Sequence, residues 1–244
     1  MNNINIATIN IAGGAGKSTF TKHGLVPQLP NASRISVEDW NSGDGEADLE
    51  ISAKSFYQLA AQLNTDEEQS FVLDIGTSNS RGMLQHFADL ELTRDEIDFW
   101  VVPVRAGSKE RIDTMRTIAS LLELGIDPAS IVVVAQAITD IATFEADFAV
   151  LKASARDLGL SFATQAVLYN DVYHLLKGGP QTVFDVVRDK PDFKALRTQH
   201  RGNEQKLIEI GNQMLLYSLA STAVRNLMAV FESTPLAAAV RGQA

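Results

Sequence analysis

The chain of 244 residues contains no cysteine. This absence excludes disulfide bonds, thiolate metal sites and cysteine nucleophiles, and it is compatible with a reducing compartment. The first residues lack the basic segment and apolar run of a secretory signal. The most apolar long stretch, 214–231, is interrupted by Arg225 and Asn226, so no run of about 20 apolar residues is available to cross a bilayer. We therefore expect no membrane span, and the composition is compatible with a cytoplasmic protein.

Basic side chains are scarce in the first 100 residues, which contain 6 basic and 15 acidic residues. Residues 101–244 contain 15 of each, so the first part carries the whole net charge of −9. An acidic surface repels DNA phosphates, which argues against a protein that grips DNA over its whole surface. Segment 188–206, with six basic and three acidic residues, is a candidate basic patch, or else a solvated helix face. We expect DNA binding to be weak or indirect.

Apolar runs without alternation recur along the first 170 residues and predict strands that are covered by helices on both faces. Stretches of helical character with glycine or proline ends separate these runs. The pattern predicts an α/β fold with a doubly wound, mostly parallel sheet and a C-terminal helical segment. The predicted strands cover residues 4–11, 33–37, 71–76, 97–104, 131–135 and 162–167.

A glycine-glycine-proline break at 178–180 follows this pattern. We predict an α/β domain over 1–180, a helical extension over 181–232 that packs on it, and a flexible tail over 233–244. Within the extension, 204–231 has the composition of one long, broadly apolar helix. We expect this helix to pack on the sheet domain or on a second subunit, because a helix that lies on a membrane surface needs a basic face.

The first predicted strand ends in a glycine-rich loop that is followed by a helix. Glycines allow consecutive backbone N–H groups to point at an anion, and the helix N-terminus adds partial positive charge. Lys17 would reach the β- and γ-phosphates of a nucleotide, and the Ser18 hydroxyl would bind Mg²⁺. The pattern G-x-x-x-x-G-K-[ST] is incomplete because Ile11 stands at its first glycine, and a simple turn with an incidental lysine is the alternative. The predicted nucleotide-binding residues of the loop are Gly13, Gly14, Ala15, Gly16, Lys17, Ser18 and Thr19.

Acidic residues follow two other strands. Asp74, after an apolar strand, resembles a Walker B acid that holds Mg²⁺ through its water shell, the alternative being a helix cap. Glu38 and Asp39 follow the second strand, where a carboxylate could orient or deprotonate the water that attacks a γ-phosphate. The alternative for this pair is a solvated acidic loop, and the sequence does not choose between the two acids. Together with Lys17 they are the candidate catalytic residues.

Other polar residues follow strand ends at the same edge of the sheet. Gln136 comes after the fifth strand and either hydrogen-bonds the edge of a nucleotide base or simply ends the strand. Arg81 and Arg105 are either phosphate contacts or surface arginines. The four histidines share no ligand-like spacing, which argues against a histidine metal site.

The loop at 12–18 (AGGAGKS) resembles the deviant Walker A motif K-G-G-x-G-K-[ST] of the ParA/MinD ATPases. The acidic loop after the second strand and the Walker B-like Asp74 follow in the same order. More closely, the chain resembles the StbB plasmid-stability proteins, a ParA-like branch, and the resemblance covers about residues 4–170. The strings that carry it are ISVE at 35–38, DG at 44–45, VLDIGTSN at 72–79 and VVP at 101–103.

This resemblance implies a P-loop NTPase that binds ATP or ADP with Mg²⁺ and acts in plasmid stability, segregation and conjugative transfer. It implies a homodimer in a bacterial cytoplasm and a small DNA-binding partner encoded beside it on a plasmid. By the same resemblance, Lys17 matches the phosphate-binding lysine, Ser18 the Mg²⁺ ligand and Asp74 the Walker B acid. Asp39 falls where the family places the acid that positions water, and Gln136 takes the place of its adenine-reading asparagine.

The chain departs from the ParA pattern at Ala12, where that family has a signature lysine that reaches the nucleotide of the partner subunit. The departure argues against an ATP-sandwich dimer and against fast hydrolysis, and Arg81 or Arg105 are candidates for the missing charge. We therefore expect a weak ATPase. Two alternatives stay open: a non-hydrolysing nucleotide-binding adaptor, which the missing lysine favours, and a small-molecule P-loop kinase, for which the sequence shows no arginine-rich lid.

Overall fold

The computed structural model describes residues 3–37, 49–51, 61, 63, 69–89 and 91–242. Its strands form one seven-stranded parallel sheet in the order β3-β2-β4-β1-β5-β6-β7. The predicted doubly wound α/β fold is confirmed. The strands are β1 (Ile6–Thr8), β2 (Ala32–Val37), β3 (Leu49–Ile51), β4 (Ser70–Ile75), β5 (Phe99–Val104), β6 (Ile131–Ala135) and β7 (Ser161–Phe162).

Helices connect the strands and cover both faces of the sheet. The α-helices are α1 (Lys17–Phe20), α2 (Ser80–Asp89), α3 (Glu91–Asp95), α4 (Ser108–Glu123), α5 (Phe144–Asp157), α6 (Val172–Leu175), α7 (Val183–Arg188), α8 (Phe193–Gln199), α9 (Glu204–Glu232) and α10 (Pro235–Val240). A π-helix at Thr21–Leu25 continues α1, and short 3₁₀ helices lie at Val26–Gln28, Pro128–Ser130 and Ile141–Thr143.

Two hydrophobic cores explain why the strands are apolar without alternation. On one face, Phe87 of α2, Ile118 of α4 and Phe148 of α5 pack against the sheet. The rings of Phe87 and Trp100 meet edge to face with their centroids 5.0 Å apart. The opposite face packs against α1, the π-helix, α6, α7 and α9. Side chains on both sides of each central strand are therefore buried. That second core includes Phe20, Leu25, Val172, Val183, Ala220, Ala223 and Leu227.

Helix α9 packs on the sheet domain with its C-terminal half, where Ala220, Ala223 and Leu227 are buried. In its N-terminal half, Ile208 and Leu215 are more than half exposed. By length and composition α9 could also cross a membrane, a test that long core helices pass as well. The contacts with the second core agree with the predicted packing of this helix on the α/β domain.

The edges of the sheet differ from the sequence expectation. Strand β3 was not predicted, because three residues are too few for a periodic signal. Strand β7 is two residues long, although the chain continues along β6 through hydrogen bonds from the N–H groups of Ala163 and Val167 to its carbonyl groups. Between the second and third predicted strands the sequence also favours a helix over 52–63, and this stretch lies almost entirely outside the described residues.

The C-terminal residues also differ from the predicted tail. Helix α10 forms there, and Leu236 and Val240 are buried in the second core. Pro235 begins this helix at a position where a missing N–H has no cost, and Thr234 donates its hydroxyl to the carbonyl of Phe231. The tail therefore folds back because its small apolar residues bury surface against α9.

Strand β1 lies at the centre of the sheet, between β4 and β5. From β1 the chain proceeds to β2 on one side, and from β4 it crosses to β5 on the other. Ligands of doubly wound sheets bind outside the carboxyl ends of the strands at such a reversal. The loop that follows β1 and the segments that follow β4, β5 and β6 therefore form the candidate site.

Candidate functional site

The loop between β1 and α1 has the backbone geometry of an anion-binding turn. Gly14 and Gly16 have positive φ angles of 66° and 89°, which residues with a side chain rarely adopt. Gly16 precedes Lys17, the first residue of α1, and its carbonyl accepts the N–H of Phe20. A Cβ at Gly16 would lie 3.3 Å from the Gln136 side chain, whereas Gly13 and Gly14 face open space. The loop therefore presents backbone toward solvent at its tip and contacts Gln136 at its base.

The Lys17 ammonium lies at the end of this loop, where α1 begins. Its side chain is only 7% exposed, and Nζ donates to the carbonyl of Asn10 at 2.9 Å and to Oγ1 of Thr77 at 2.7 Å. Thr77 follows β4, so Lys17 bridges the loop after β1 and the segment after β4. A phosphate oxygen beside Nζ would add an ion pair, in which donor and acceptor are both charged, to the hydrogen bonds that the ammonium makes to Asn10 and Thr77.

Asn10 fixes the start of the loop and was not singled out from the sequence. Its amide donates to the carbonyl of Pro103 at 2.7 Å and to Oγ1 of Thr114 at 2.8 Å. Oδ1 of the Asn10 side chain accepts the N–H of Ala12 at 2.8 Å. The sequence feature that could have identified Asn10 is a polar residue at the end of an apolar strand. Because Ala12 is 3% exposed, the position where the ParA pattern has a lysine faces the protein interior.

Asp74 lies at the carboxyl end of β4, as predicted, and is 2% exposed. Its Oδ2 accepts a hydrogen bond from Arg34 of the neighbouring strand β2 at 2.5 Å. Oδ1 has no hydrogen-bond partner among the described residues. In the strand register Asp74 lies between Thr8 and Ser36, on the face of the sheet that α1 covers. The buried ion pair with Arg34 was not expected from the sequence.

The Ser18 hydroxyl and the Asp74 carboxylate are oxygen donors of the kind that suits Mg²⁺. The ion prefers carboxylate, hydroxyl and water oxygens, and it commonly keeps several waters. Ser18 is partly exposed in the first turn of α1, and the second carboxylate oxygen of Asp74 is buried without a partner. An unpaired buried carboxylate oxygen is costly, which favours a cation or its water shell on that side. Ser18 and Asp74 therefore have the oxygen donors that Mg²⁺ prefers, and their role as metal ligands stays a prediction.

A cavity of about 510 Å³ opens beside the glycine-rich loop between β1 and α1. Gly14, Gly16, Ser18 and Thr19 form one side of it, and Gln136 lies in its wall. Gln136 is 2% exposed, and its Nε2 donates to no acceptor among the described residues. A buried donor without a partner is rare, so a ligand with an acceptor atom would satisfy it. The structure thus brings the predicted loop and Gln136 together around one space.

The deep wall of this cavity contains residues that sequence reasoning missed. Nδ1 of His23 accepts the N–H of Val183 at 3.3 Å, and its ring centroid lies 5.4 Å from that of Tyr173. Burial, and then the charges of Lys22 and Arg34, lower the pKa of His23 to about 3. Burial also raises the pKa of Tyr173 above its ordinary value, and its hydroxyl has no hydrogen-bond partner among the described residues. His23 and Tyr173 therefore contribute two neutral aromatic rings to a cavity that the basic side chains of Lys22 and Lys177 also line.

The neutral state of His23 predicts a loss of stability in acid. The unfolded imidazole takes up a proton near pH 6.5, whereas the folded one remains neutral down to about pH 3. The stability that depends on a neutral His23 is thus present above pH 6.5 and is lost as the pH falls. We expect wild-type protein to lose about 2 kcal/mol more than His23→Asn in free energy of unfolding between pH 7 and pH 5.

Urea unfolding at several pH values measures this difference. His200→Asn, on the far helical segment, is the matched control and should follow the wild-type pH dependence. Identical slopes for wild type and His23→Asn would contradict a neutral buried imidazole.

The remaining predicted site residues separate into three groups. Glu38 and Asp39 lie outside the described residues. Arg105 is exposed and lines the cavity of Gln136. Arg81, at the start of α2, lines a different cavity on the other side of Lys17. The two arginines that the sequence could not tell apart therefore face different spaces.

The chain matches no protein-family model and no curated protein sequence. Solved structures do resemble it. Apo McdA of Cyanothece aligns with a TM-score of 0.51 and 13% identity, over 86% of this chain and 99% of that one. A chain of the MinC:MinD cell division protein complex of Aquifex aeolicus aligns with a TM-score of 0.51 and 12% identity, over 87% and 96%. The chain has a ParA/MinD-like fold. At these identities the likeness shows the fold alone.

Proposed function

We propose that this ParA/MinD-like chain binds ATP and ADP with Mg²⁺ and hydrolyses ATP slowly. The observation that carries the proposal is the glycine loop at the carboxyl end of β1, with Lys17 buried at its mouth. The cavity beside it has room for a nucleoside, and Gln136 offers an unsatisfied donor to a base edge. Phosphates would lie on the loop and the base against the aromatic wall.

The side chains have distinct roles in this proposal. Lys17 neutralises the β- and γ-phosphates, and the N–H groups of Gly13 to Thr19 surround them. Mg²⁺ would be held by Ser18 and, through water, by Asp74, and it would screen phosphate charge. Glu38 or Asp39 would orient the attacking water. The chain's own contribution would be to hold Lys17, Ser18 and Asp74 at the carboxyl edge of the sheet.

We further propose that the protein acts in plasmid stability, segregation and conjugative transfer, in a bacterial cytoplasm and from a plasmid gene. The support is the resemblance of residues 4–170 to the StbB branch. The acidic first 100 residues favour indirect contact with DNA through a small DNA-binding partner, since like charges repel. Nucleotide state would control a homodimer and the binding of that partner.

A nucleotide-binding adaptor that does not hydrolyse ATP is the second candidate. It is favoured by Ala12, which is buried and neutral at the position where the ParA pattern has a lysine. Such an adaptor would switch partners by binding ATP or ADP without turnover.

Turnover and plasmid retention measured together test the first proposal against the second. We expect one of Asp39→Ala and Glu38→Ala to lose ATP turnover while it still binds ATP, because the base acts on water and not on phosphate. We expect the same variant to lose its plasmid from unselected cells. Asp189→Ala, in the C-terminal segment, is the control and should retain both. Retention that survives the loss of turnover would favour the adaptor.

A further inference from the structure

A second cavity lies on the side of the phosphate loop opposite Gln136, and the nucleotide-binding proposal does not use it. Its volume is about 350 Å³. It lies between the first residue of the loop, the segment after β4, the start of α2 and the middle of α4. The lining residues are Ile11, Thr77, Ser78, Arg81, Asp113 and Arg116.

Two hydrogen bonds attach this cavity to the phosphate loop. The N–H of Ile11 donates to Oγ1 of Thr117 at 3.1 Å, which holds the start of the loop against α4. Nζ of Lys17 donates to Oγ1 of Thr77 at 2.7 Å, so one wall of the cavity touches the ammonium itself. A group bound beside Lys17 on this side would therefore also face the cavity.

The cavity carries a net positive charge. Arg116 and Asp113 form an ion pair at 3.0 Å and compensate each other. The guanidinium of Arg81 makes no hydrogen bond or ion pair with any described residue, and its side chain is exposed. Guanidinium groups bind phosphate oxygens in paired, charge-assisted hydrogen bonds. The exposed hydroxyl-bearing residues Thr77 and Ser78 add further donors on the same wall.

We infer that Arg81 forms a subsite for the terminal phosphate of the bound nucleotide, which distinguishes a triphosphate from a diphosphate. The inference rests on the proposed nucleotide binding and adds the residue that distinguishes bound ATP from bound ADP. Lys17 connects the glycine-rich loop to the second cavity, because its ammonium donates to Thr77 in the cavity wall. The γ-phosphate would reach the cavity and meet Arg81, whereas the β-phosphate of ADP would remain on the loop.

The affinities of Arg81→Gln for AMPPNP and for ADP, both with Mg²⁺, test this inference by calorimetry. We expect the affinity for AMPPNP to fall by about 10-fold or more, the value of one charge-assisted contact, with the affinity for ADP almost unchanged. Arg81→Lys should recover part of the loss because it restores the charge without the paired geometry. Arg156→Gln, an exposed arginine in the last turn of α5, is the matched control and should bind both ligands as the wild type does.

Three outcomes would overturn the inference. An equal loss for AMPPNP and ADP would place Arg81 at the inner phosphates. Unchanged binding of both, with weaker self-association in sedimentation, would assign the cavity to a carboxylate of a second copy. A wild-type protein that binds neither nucleotide would overturn the proposed function together with the inference, which separates that failure from the first two.

Discussion

Replacement of Lys17 by alanine is expected to lower the affinity for MgATP by about 100-fold or more. The ammonium is buried at the mouth of the loop and already oriented by Asn10 and Thr77, so it meets phosphate with little loss of side-chain freedom. Two charge-assisted hydrogen bonds, each contributing about 1.5–3 kcal/mol, account for this size of effect. Calorimetric titration with MgATP gives the affinity directly.

Lys194→Ala removes an exposed lysine from α8 and is the control for the loss of one positive charge. Thermal unfolding without nucleotide separates a binding defect from a folding defect in Lys17→Ala. In cells, we expect Lys17→Ala to abolish plasmid retention. Unchanged MgATP affinity would contradict the phosphate-loop assignment, and unchanged retention would contradict the plasmid role.

Replacement of Arg34 by methionine is expected to lower the free energy of unfolding by about 3–5 kcal/mol. Arg34 and Asp74 are both buried and joined at 2.5 Å, so the single change leaves a carboxylate in the core without its cation. The double variant Arg34→Met/Asp74→Leu should recover most of that loss, because two apolar side chains replace the pair and neither of its charges stays buried. Chemical unfolding of wild type, both single variants and the double variant forms the cycle.

A surface pair provides the control for this cycle. Lys206 and Glu209 are 2.7 Å apart and about half exposed, and Lys206→Met should cost less than about 1 kcal/mol because water solvates the remaining charge. Losses from Arg34→Met and Asp74→Leu that simply add in the double variant would contradict a coupled buried pair.

Several parts of the site could be read from the sequence because they depend on neighbouring residues. Glycines followed by Lys17 and Ser18 after an apolar strand predict the loop, since φ angles and helix polarity are local properties. Gln136 could be placed at the same edge, because parallel strands all end there. The sheet class followed from apolar strands separated by helices. Local conformational preferences and the order of strands and helices along the chain are enough for each of these.

Other parts needed strand order and side-chain direction. The pairing of Arg34 with Asp74 exists only because β2 lies beside β4 and not beside β1. His23 looked like one of four unrelated histidines, and only the packing of α7 over the π-helix makes it a buried, neutral acceptor. No periodic pattern in the sequence predicts these two contacts, because they join residues that are 40 and 160 positions apart.

The sequence by itself determined a doubly wound sheet, a glycine-rich loop with Lys17 after its first strand, the acidic charge of the first 100 residues and the absence of cysteine. Those properties follow from composition and local conformational preference. Only the tertiary structure decided that Arg105 faces the cavity of Gln136 while Arg81 faces the opposite side of Lys17. It also turned the predicted tail into helix α10. Both outcomes depend on which surfaces meet when the helices pack on the sheet.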